Sequence, residues 1–174
     1  NLEERNFDEC VDLVEKGLMS SIKSHMQADV PYGAFLSGGI DSSIIVALMQ
    51  KQSLKKINTF SIGFKEKAHD ESKHANIVAN HIGTNHHEII INHNDVINAL
   101  MDSSKYFDEP FADNSSIPTY LVSKFARNTV KVCLSGDGGD ELYGGYPRYF
   151  WAQRIEELKK NYPLLSMLLK RICY

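Results

Sequence analysis

Apolar residues recur along the chain in two spacings, and these predict helices that alternate with short strands. Near the N-terminus the apolar positions repeat every three or four residues, so an amphipathic helix is expected over about 6–28. Short runs rich in β-branched and aromatic residues predict strands at about 32–36, 57–62, 86–91 and 130–134. The apolar positions of the first helix are Phe7, Val11, Val14, Leu18 and Ile22.

Helical spacing returns in the segments between the predicted strands. Gly83 follows one of these segments, at a position where a left-handed residue commonly ends a helix. Two further helical stretches, separated near Pro163, are expected to end the chain. The first of these expected helices follows the first strand and ends at about Gln52, and the second covers about 70–82. The third begins at an Asn94 cap, and the fourth runs from a Ser115 or Ser116 cap to about Arg127. Their inward residues are expected to be Ala75, Val78, Ala79 and Ile82 in the second and Val96, Ile97, Leu100 and Met101 in the third.

Strands that alternate with helices predict an α/β fold. The expected architecture is a Rossmann-like, doubly wound parallel sheet with helices on both faces, in a three-layer α/β/α arrangement. Residues 1–30 are expected to form an N-terminal helix that packs on the core, and residues 31–174 the core itself. Because ligands of such sheets bind beyond the carboxyl ends of the strands, near a reversal of strand order, the loops after the strands are the candidate sites.

Composition and charge narrow the class of protein. The chain has 174 residues, 43% of them hydrophobic and 24% charged, as in ordinary globular domains. A net charge of −3 indicates neither a nucleic-acid nor a membrane partner, and no apolar run approaches the roughly 20 residues that span a bilayer. Three scattered cysteines, Cys10, Cys133 and Cys173, are typical of a reducing cytoplasm. Cys133 lies in an apolar strand pattern and is expected to be a core thiol.

The first candidate site is Ser37-Gly38-Gly39-Ile40-Asp41-Ser42-Ser43, between the first strand and the next helix. We call residues 37–43 the first glycine loop. The unpaired N–H groups at the start of a helix suit an anion, and glycines let the backbone approach a phosphate closely. A carboxylate such as Asp41 repels phosphate unless a cation lies between them, which predicts Mg²⁺. The loop lacks the lysine of a Walker A motif.

The second candidate site is Ser135-Gly136-Asp137-Gly138-Gly139-Asp140-Glu141, after the fourth strand. We call residues 135–141 the second glycine loop. In a parallel sheet this loop, the first glycine loop and Gly63 after the second strand emerge at the same edge. Three acidic side chains and three glycines there indicate a close approach of backbone to ligand.

These segments resemble the synthetase domain of glutamine-dependent asparagine synthetases, in the superfamily of N-type ATP pyrophosphatases. The first glycine loop is similar to the pyrophosphate loop, Ser-Gly-Gly-x-Asp-Ser. Residues 135–146 are similar to the pattern Ser-Gly-Glu/Asp-Gly-x-Asp-Glu-x-x-x-Gly-Tyr. The resemblance covers the chain from about Pro31 to Tyr149 and implies an adenine nucleotide α-hydrolase-like fold. The other agreeing segments are 60–64, 86–88 and 108–110.

The resemblance implies roles for individual residues. Asp137 takes the acidic position that acts at the adenylate and ammonia step; many relatives have glutamate there, whose reach is about 1.5 Å longer. Asp140 joins Asp41 in holding Mg²⁺ and is catalytic with Asp137. The pyrophosphate end of ATP is expected at Ser37, Gly38, Gly39, Asp41 and Ser42, the adenosine at the backbone of Leu36 and Ile62, and the nucleotide or acyl-adenylate at Ser135 and Gly136.

The implied activity is adenylation of a carboxylate, with aspartate as the expected substrate, followed by attack of ammonia to give an amide and AMP. Family members usually carry a glutaminase domain before this domain and a catalytic lysine after the second signature. No glutaminase pattern is present here and the catalytic lysine is not assigned, so the chain is expected to be the nucleotide-binding core of a longer enzyme. Three matters stay open: amidation of another acid, such as a sugar acid or a β-lactam precursor; nucleotide binding without turnover; and the oligomeric state, with a homodimer as one alternative.

Two polar segments have both a functional and an ordinary interpretation. His86-His87-Glu88 suggests a metal site, but neighbouring residues of a strand face opposite sides, which favours a structural role. Asp113-Asn114-Ser115-Ser116 is either part of an amino-acid site or a helix cap, and the sequence favours neither.

Overall fold

A computed structural model of the chain describes residues 6–65, 72–103, 105–106, 109, 113 and 115–161. Helices and strands alternate through most of these residues, as the apolar spacing predicts. The strands are β1 (Tyr32–Phe35), β2 (Asn58–Phe64), β3 (Asn85–Ile91) and β4 (Val132–Leu134). The helices are α1 (Phe7–His25), α2 (Ile40–Gln52), α3 (Ser72–Ile82), α4 (His93–Ser103), α5 (Ser116–Ala126), α6 (Gly139–Tyr143) and α7 (Pro147–Asn161).

The four strands form one parallel sheet in the order β3-β2-β1-β4. The chain builds outward from β1 to β3 on one side and then returns to place β4 on the other side of β1. Strand order therefore reverses between β1 and β4, which is where ligands of doubly wound sheets bind. The predicted fold class is confirmed, and both glycine loops follow the two strands at the reversal.

Helices cover both faces of the sheet. On one face Ala34 and Leu36 pack with Ile22 of α1, Val46 of α2 and Ala75 of α3, all fully or almost fully buried. On the other face the main apolar contacts of the sheet are with α5, and α4 packs against α5. Half-buried Cys133 belongs to this second cluster, and burial raises the pKa of its thiol to about 11.

Two predicted apolar faces are less buried than expected. In α1 only Ile22 of the predicted stripe is buried, whereas Phe7 is 80% exposed and Val11 and Val14 are exposed as well. In α4 the buried residue is Ala99, and three of the four predicted inward residues are exposed because the helix packs against α5 rather than the sheet. Those three are Ile97, Leu100 and Met101. The predicted stripe of α3 is confirmed, with Ala75 and Ala79 buried and Val78 and Ile82 packed against them.

Helix ends agree with the predictions in two cases and differ in one. Gly83 ends α3 with φ +83°, as predicted. Ser115 occupies the cap position of α5, although its hydroxyl and N–H both donate to Asp113 Oδ1. The predicted Asn94 cap is wrong. Asn92 caps α4 instead: its Oδ1 accepts from the backbone N–H of Asn94 and Asp95, and Asp95 accepts the Asn92 N–H in return.

The chain divides into two compact units, Asn1–Gly136 and Asp137–Tyr174. The first contains the sheet and helices α1 to α5, and the second contains α6 and α7. Helix α6 was not predicted, and the helical stretch expected after Pro163 lies outside the described residues. Among the described residues no helix is long and apolar enough to cross a membrane.

Candidate nucleotide site

The first glycine loop leads directly into the N-terminus of α2. Gly39 is the residue before the helix, and no described side chain caps it. The first backbone bond of the helix runs from the Ser43 N–H to the Gly39 carbonyl at 3.0 Å. The N–H groups of residues 40–42 therefore lack intrahelical acceptors, and the partial positive charge of the helix terminus adds to theirs. This is a local arrangement that suits an anion.

Hydroxyl groups hold the first glycine loop in shape. The Ser42 hydroxyl lies 3.0 Å from the Ser37 hydroxyl, accepts from the Ser37 N–H at 3.3 Å and donates to the Gly39 carbonyl at 3.2 Å. Ser43 donates to the same carbonyl at 2.6 Å. Ser42 is only 8% exposed, so in this conformation its hydroxyl braces the loop. The loop is thus shaped before any nucleotide binds, which lowers the entropic cost of binding.

Gly38 is required by both its backbone conformation and its surroundings. Its φ is +84°, in the left-handed region that favours glycine. A Cβ placed on Gly38 would lie 2.6 Å from the backbone nitrogen of Ala75 and 2.7 Å from the Cβ of His74. The loop therefore packs directly against the first turns of α3.

The loop after β4 closes the other side of the same helix terminus. A Cβ placed on Gly136 would lie 2.7 Å from the backbone nitrogen of Ser42 and 3.0 Å from the Cβ of Asp41. The first glycine loop and Gly136, the last residue of the first compact unit, therefore meet at the start of α2. This contact agrees with the prediction that the loops after β1 and β4 emerge together. Only glycine fits at position 136, because any side chain there would overlap the backbone of α2.

The backbone of β2 continues past the end of β1 at the same edge. The Leu36 N–H donates to the Phe60 carbonyl at 2.9 Å, so Phe60 presents its backbone groups to β1. Backbone direction alternates along a strand, and Ile62 therefore presents its N–H and C=O to the same side. Because β1 ends at Phe35, opposite Phe60, these Ile62 groups face the space where the first glycine loop begins. This geometry suits hydrogen bonding to a flat heterocycle such as adenine.

A family model described as asparagine synthase matches residues 13–172, nearly the whole chain. The chain belongs to the asparagine synthase family. It is similar to asparagine synthetase (glutamine-hydrolyzing) 1 of Bacillus subtilis, with 41% identity over 142 residues, and to asparagine synthetase B (glutamine-hydrolyzing) of Escherichia coli, with 35% identity over 164 residues. These matches cover 82% and 85% of this chain but 22% and 29% of the relatives. The chain thus spans about a quarter of their length.

Solved structures support the fold of this asparagine synthase family chain. An NMN synthetase of Francisella tularensis superposes with a TM-score of 0.52 over 76% of this chain and 56% of its own, at 19% identity. An NH3-dependent NAD synthetase of Campylobacter jejuni superposes with a TM-score of 0.50 over 82% of this chain and 61% of its own, at 14% identity. Identities this low indicate a shared fold only.

The remainder of the second glycine loop belongs to the second compact unit of this family member. Gly138 and Gly144 flank the short helix α6 with φ of +90° and +70°. Asp137 is exposed, and Asp140 lies in the first turn of α6, partly buried. A Cβ on Gly145 would collide with Asp140 Oδ1, so this glycine leaves space for the carboxylate. The predicted pairing of Asp41 with Asp140 at Mg²⁺ joins residues of two units and stays a prediction.

An aromatic and charged cluster follows α6 in the same unit. The Tyr146 hydroxyl donates to Glu141 Oε1 at 2.8 Å, and the Arg148 guanidinium carbon lies 4.0 Å from the centre of the Tyr146 ring. The hydrogen bond from Tyr146 lowers the pKa of Glu141 and raises that of Tyr146. Tyr146 is the last residue of the second signature, and Arg148 lies two residues beyond it.

His86 and His87 diverge, as the strand periodicity predicts. His86 lies between two hydroxyls, with Nδ1 at 2.9 Å from Thr59 Oγ1 and Nε2 at 3.1 Å from Ser61 Oγ, whereas His87 stacks on Phe60 on the other face. Burial lowers the pKa of His86. Among the described residues no group of three or more His, Cys, Asp or Glu side chains is placed to hold a metal ion. The polar network around His86 was not predicted, because it is formed by neighbouring strands.

The segment before α5 is described only in part. Asp113 Oδ1 accepts from the Ser115 N–H and hydroxyl at 2.8 Å each, and these bonds lower the pKa of Asp113. These bonds place Asp113 in the turn that begins α5. Its other interpretation, as part of a site that binds the amino-acid substrate, stays a prediction. Asp108, Pro110 and Asn114 lie outside the described residues.

Proposed function

We propose that this chain is the nucleotide-binding part of an ATP-dependent ligase of the glutamine-hydrolysing asparagine synthase type. The family match and the names of the two curated relatives support this function. The proposed acceptor is the side-chain carboxylate of aspartate. The proposed ammonia source is glutamine, hydrolysed by a glutaminase domain of the complete protein.

The close approach of Gly136 to the N-terminus of α2 is the observation that carries this proposal. It brings the ends of β1 and β4 together at the reversal of strand order, beside the N–H groups of residues 40–42. Because Gly38 and Gly136 have no side chain, α3 and the loop after β4 pack closely around the start of α2, whose N–H groups suit phosphate oxygens. The backbone of Ile62, at the same edge, suits the base of the nucleotide.

In the proposed reaction a carboxylate oxygen attacks the α-phosphorus of ATP, and the bond to the β-phosphate breaks as pyrophosphate leaves. The helix terminus and the first glycine loop would hold the leaving pyrophosphate, with the preorganised donors of residues 40–42 facing its charge. Ammonia then attacks the acyl carbon, and the amide forms as AMP leaves. Ser135 and Gly136 are proposed to contact the adenylate, and Asp137 to act at the ammonia step.

Asp41 and Asp140 are proposed to hold Mg²⁺, which neutralises phosphate charge when it is bound. Asp41 fits this role because it is a partly exposed carboxylate in the first turn of α2, beside the anion site. Magnesium in nucleotide sites commonly takes one or two carboxylates and completes its shell with phosphate and water. A set of three protein ligands is therefore not required.

The substitution Asp41→Asn in the complete protein tests the proposal. We expect aspartate-dependent exchange of pyrophosphate into ATP to fall about 100-fold, because a carboxylate that balances phosphate charge is lost. Asp12→Asn, which changes an exposed carboxylate of α1, is the matched control and should retain the exchange. Retained exchange in Asp41→Asn would refute the metal role. If the exchange depended on a sugar acid or β-lactam precursor instead of aspartate, that acid would replace aspartate as the proposed substrate. If the protein bound ATP but showed no exchange with any of these acids, it would be a nucleotide-binding module without turnover.

A further inference from the structure

The first glycine loop has a histidine beside it that none of the predicted roles uses. A Cβ placed on Gly38 would lie 2.7 Å from the Cβ and 2.7 Å from the carbonyl carbon of His74. His74 is the third residue of α3, and its side chain is exposed to solvent. An imidazole that starts at this Cβ is therefore within one side-chain length of the loop backbone.

The direction of α3 places this imidazole at the ligand edge of the sheet. The helix follows β2 and leads into β3, which is parallel to β2, so its N-terminal turn lies near the carboxyl ends of the strands. Side chains of an α-helix lean toward its N-terminus, and from the first turn of α3 that direction is toward the same edge. This general direction would carry the imidazole from the side of the first glycine loop toward the space of the proposed nucleotide.

Among the described residues, the charged groups near His74 are compatible with an anion. Lys73 precedes His74 on α3 and is exposed. The nearest acidic group on α2 is Asp41, to which the proposed function assigns a cation, and Glu88 of β3 is engaged by Asn76 at 2.6 Å. A neutral imidazole donates one N–H and a protonated imidazole donates two, so either form can bind a phosphate oxygen.

We propose that His74 is a further anion-binding residue, whose imidazole donates a hydrogen bond to the phosphate chain held by the first glycine loop. This inference rests on the proposed function, since it assigns a second element, α3, to the same pyrophosphate. The loop backbone would bind the phosphates from α2, and His74 would bind them from the side of β2.

Binding of inorganic pyrophosphate to the complete protein, measured by calorimetry, tests this role. We expect His74→Ala to weaken binding about tenfold, as loss of one hydrogen bond to a charged group typically does. His74→Gln keeps a donor of similar length and should recover most of the loss. His81→Ala is the control, because His81 is an exposed histidine of the last turn of α3, about 10 Å along the helix.

Carbethoxylation of histidines, mapped by peptide mass spectrometry, gives a readout that a purely structural role would not change. We expect pyrophosphate to protect His74 and to leave His81 reactive. Binding by His74→Ala within twofold of the wild type, or equal weakening by His81→Ala, would overturn the inference and leave the proposed function intact. If the wild type and His81→Ala both failed to bind pyrophosphate, the proposed function would fail together with it.

Discussion

The first glycine loop is enclosed by neighbouring elements, whereas the second glycine loop beyond Gly136 leads into the short and partly exposed helix α6. Around the first, α3 packs against Gly38, Gly136 packs against the start of α2, and Ser42 braces the loop from inside. In the second, two left-handed glycines flank α6, and no residue of that helix is buried. The comparison teaches that neighbouring elements hold the first loop, whereas left-handed glycines and the hydrogen bond from Tyr146 to Glu141 help to shape the second.

Gly38→Ala should produce the largest effect and would break the enclosed loop. Alanine costs about 1–2 kcal/mol in the left-handed region, and the overlap with the backbone of α3 costs about 1–3 kcal/mol more. We expect urea unfolding to report a loss of about 2–5 kcal/mol and nucleotide binding to disappear. Gly17→Ala is the control: Gly17 lies within α1 with nothing within 4 Å of an added Cβ, so the substitution should be neutral or slightly stabilising. A stable Gly38→Ala protein that binds ATP normally would contradict the close packing against α3.

The pair Gly136→Ala and Gly145→Ala compares the two loops directly and should have an intermediate effect. The added Cβ of Gly136→Ala meets the backbone of α2, which cannot move alone, so stability should fall by about 1–3 kcal/mol. The added Cβ of Gly145→Ala meets the carboxylate of Asp140, which can rotate away.

For Gly145→Ala we therefore expect nearly unchanged unfolding but about tenfold slower pyrophosphate exchange, because the Asp140 carboxylate moves from its proposed position. Far-ultraviolet circular dichroism and the exchange assay measure the two quantities separately. If Gly145→Ala unfolded as easily as Gly136→Ala, the second loop would be packed as tightly as the first, and the comparison would fail.

The location of the first glycine loop could be predicted from the sequence, but the packing contacts that hold the loop could not. Residues 37–43 and 135–141 follow strands whose parallel order is evident from the alternation of elements, so their meeting at one edge could be inferred. The contact of Gly38 with α3 could not be inferred from the sequence. Helical periodicity shows which face of a helix is apolar, but it does not show which element packs against the loop that precedes the helix. For the same reason the exposure of Phe7 and Leu100 was not predicted.

The Asn92 cap, by contrast, was available in the sequence. Asn92 and Asp95 have the three-residue spacing of a capping box, and the structure forms both of its reciprocal bonds. Asn94 also suits a cap as an isolated residue, and only the reciprocal partner distinguishes the two. Helix α6 is different: its five residues are too short for an apolar period to be recognised, and its ends depend on the left-handed glycines.

Acid should weaken the first compact unit, Asn1–Gly136, before the second, and this is the smallest of the expected effects. Burial lowers the pKa of His86 below its ordinary value of 6.5, with Glu88 acting in the opposite direction and His87 adding to the lowering. The unfolded chain therefore binds a proton at His86 before the folded chain does. Stability from this group is complete above about pH 6.5 and is lost as the pH falls below that value.

Urea midpoints at about pH 7.5 and about pH 5.5 measure this loss, because imidazoles change charge in that interval while carboxylates do not. The lowered pKa of Glu141 would act only below its ordinary value of 4.5, so the second loop should not contribute. We expect His86→Gln to reduce the dependence on pH, since glutamine can still bond to Thr59 or Ser61 but does not titrate. His81→Gln, at an exposed site, should keep the wild-type dependence. If the urea midpoint of His86→Gln depended on pH as strongly as that of the wild type, another group would make the first compact unit sensitive to acid.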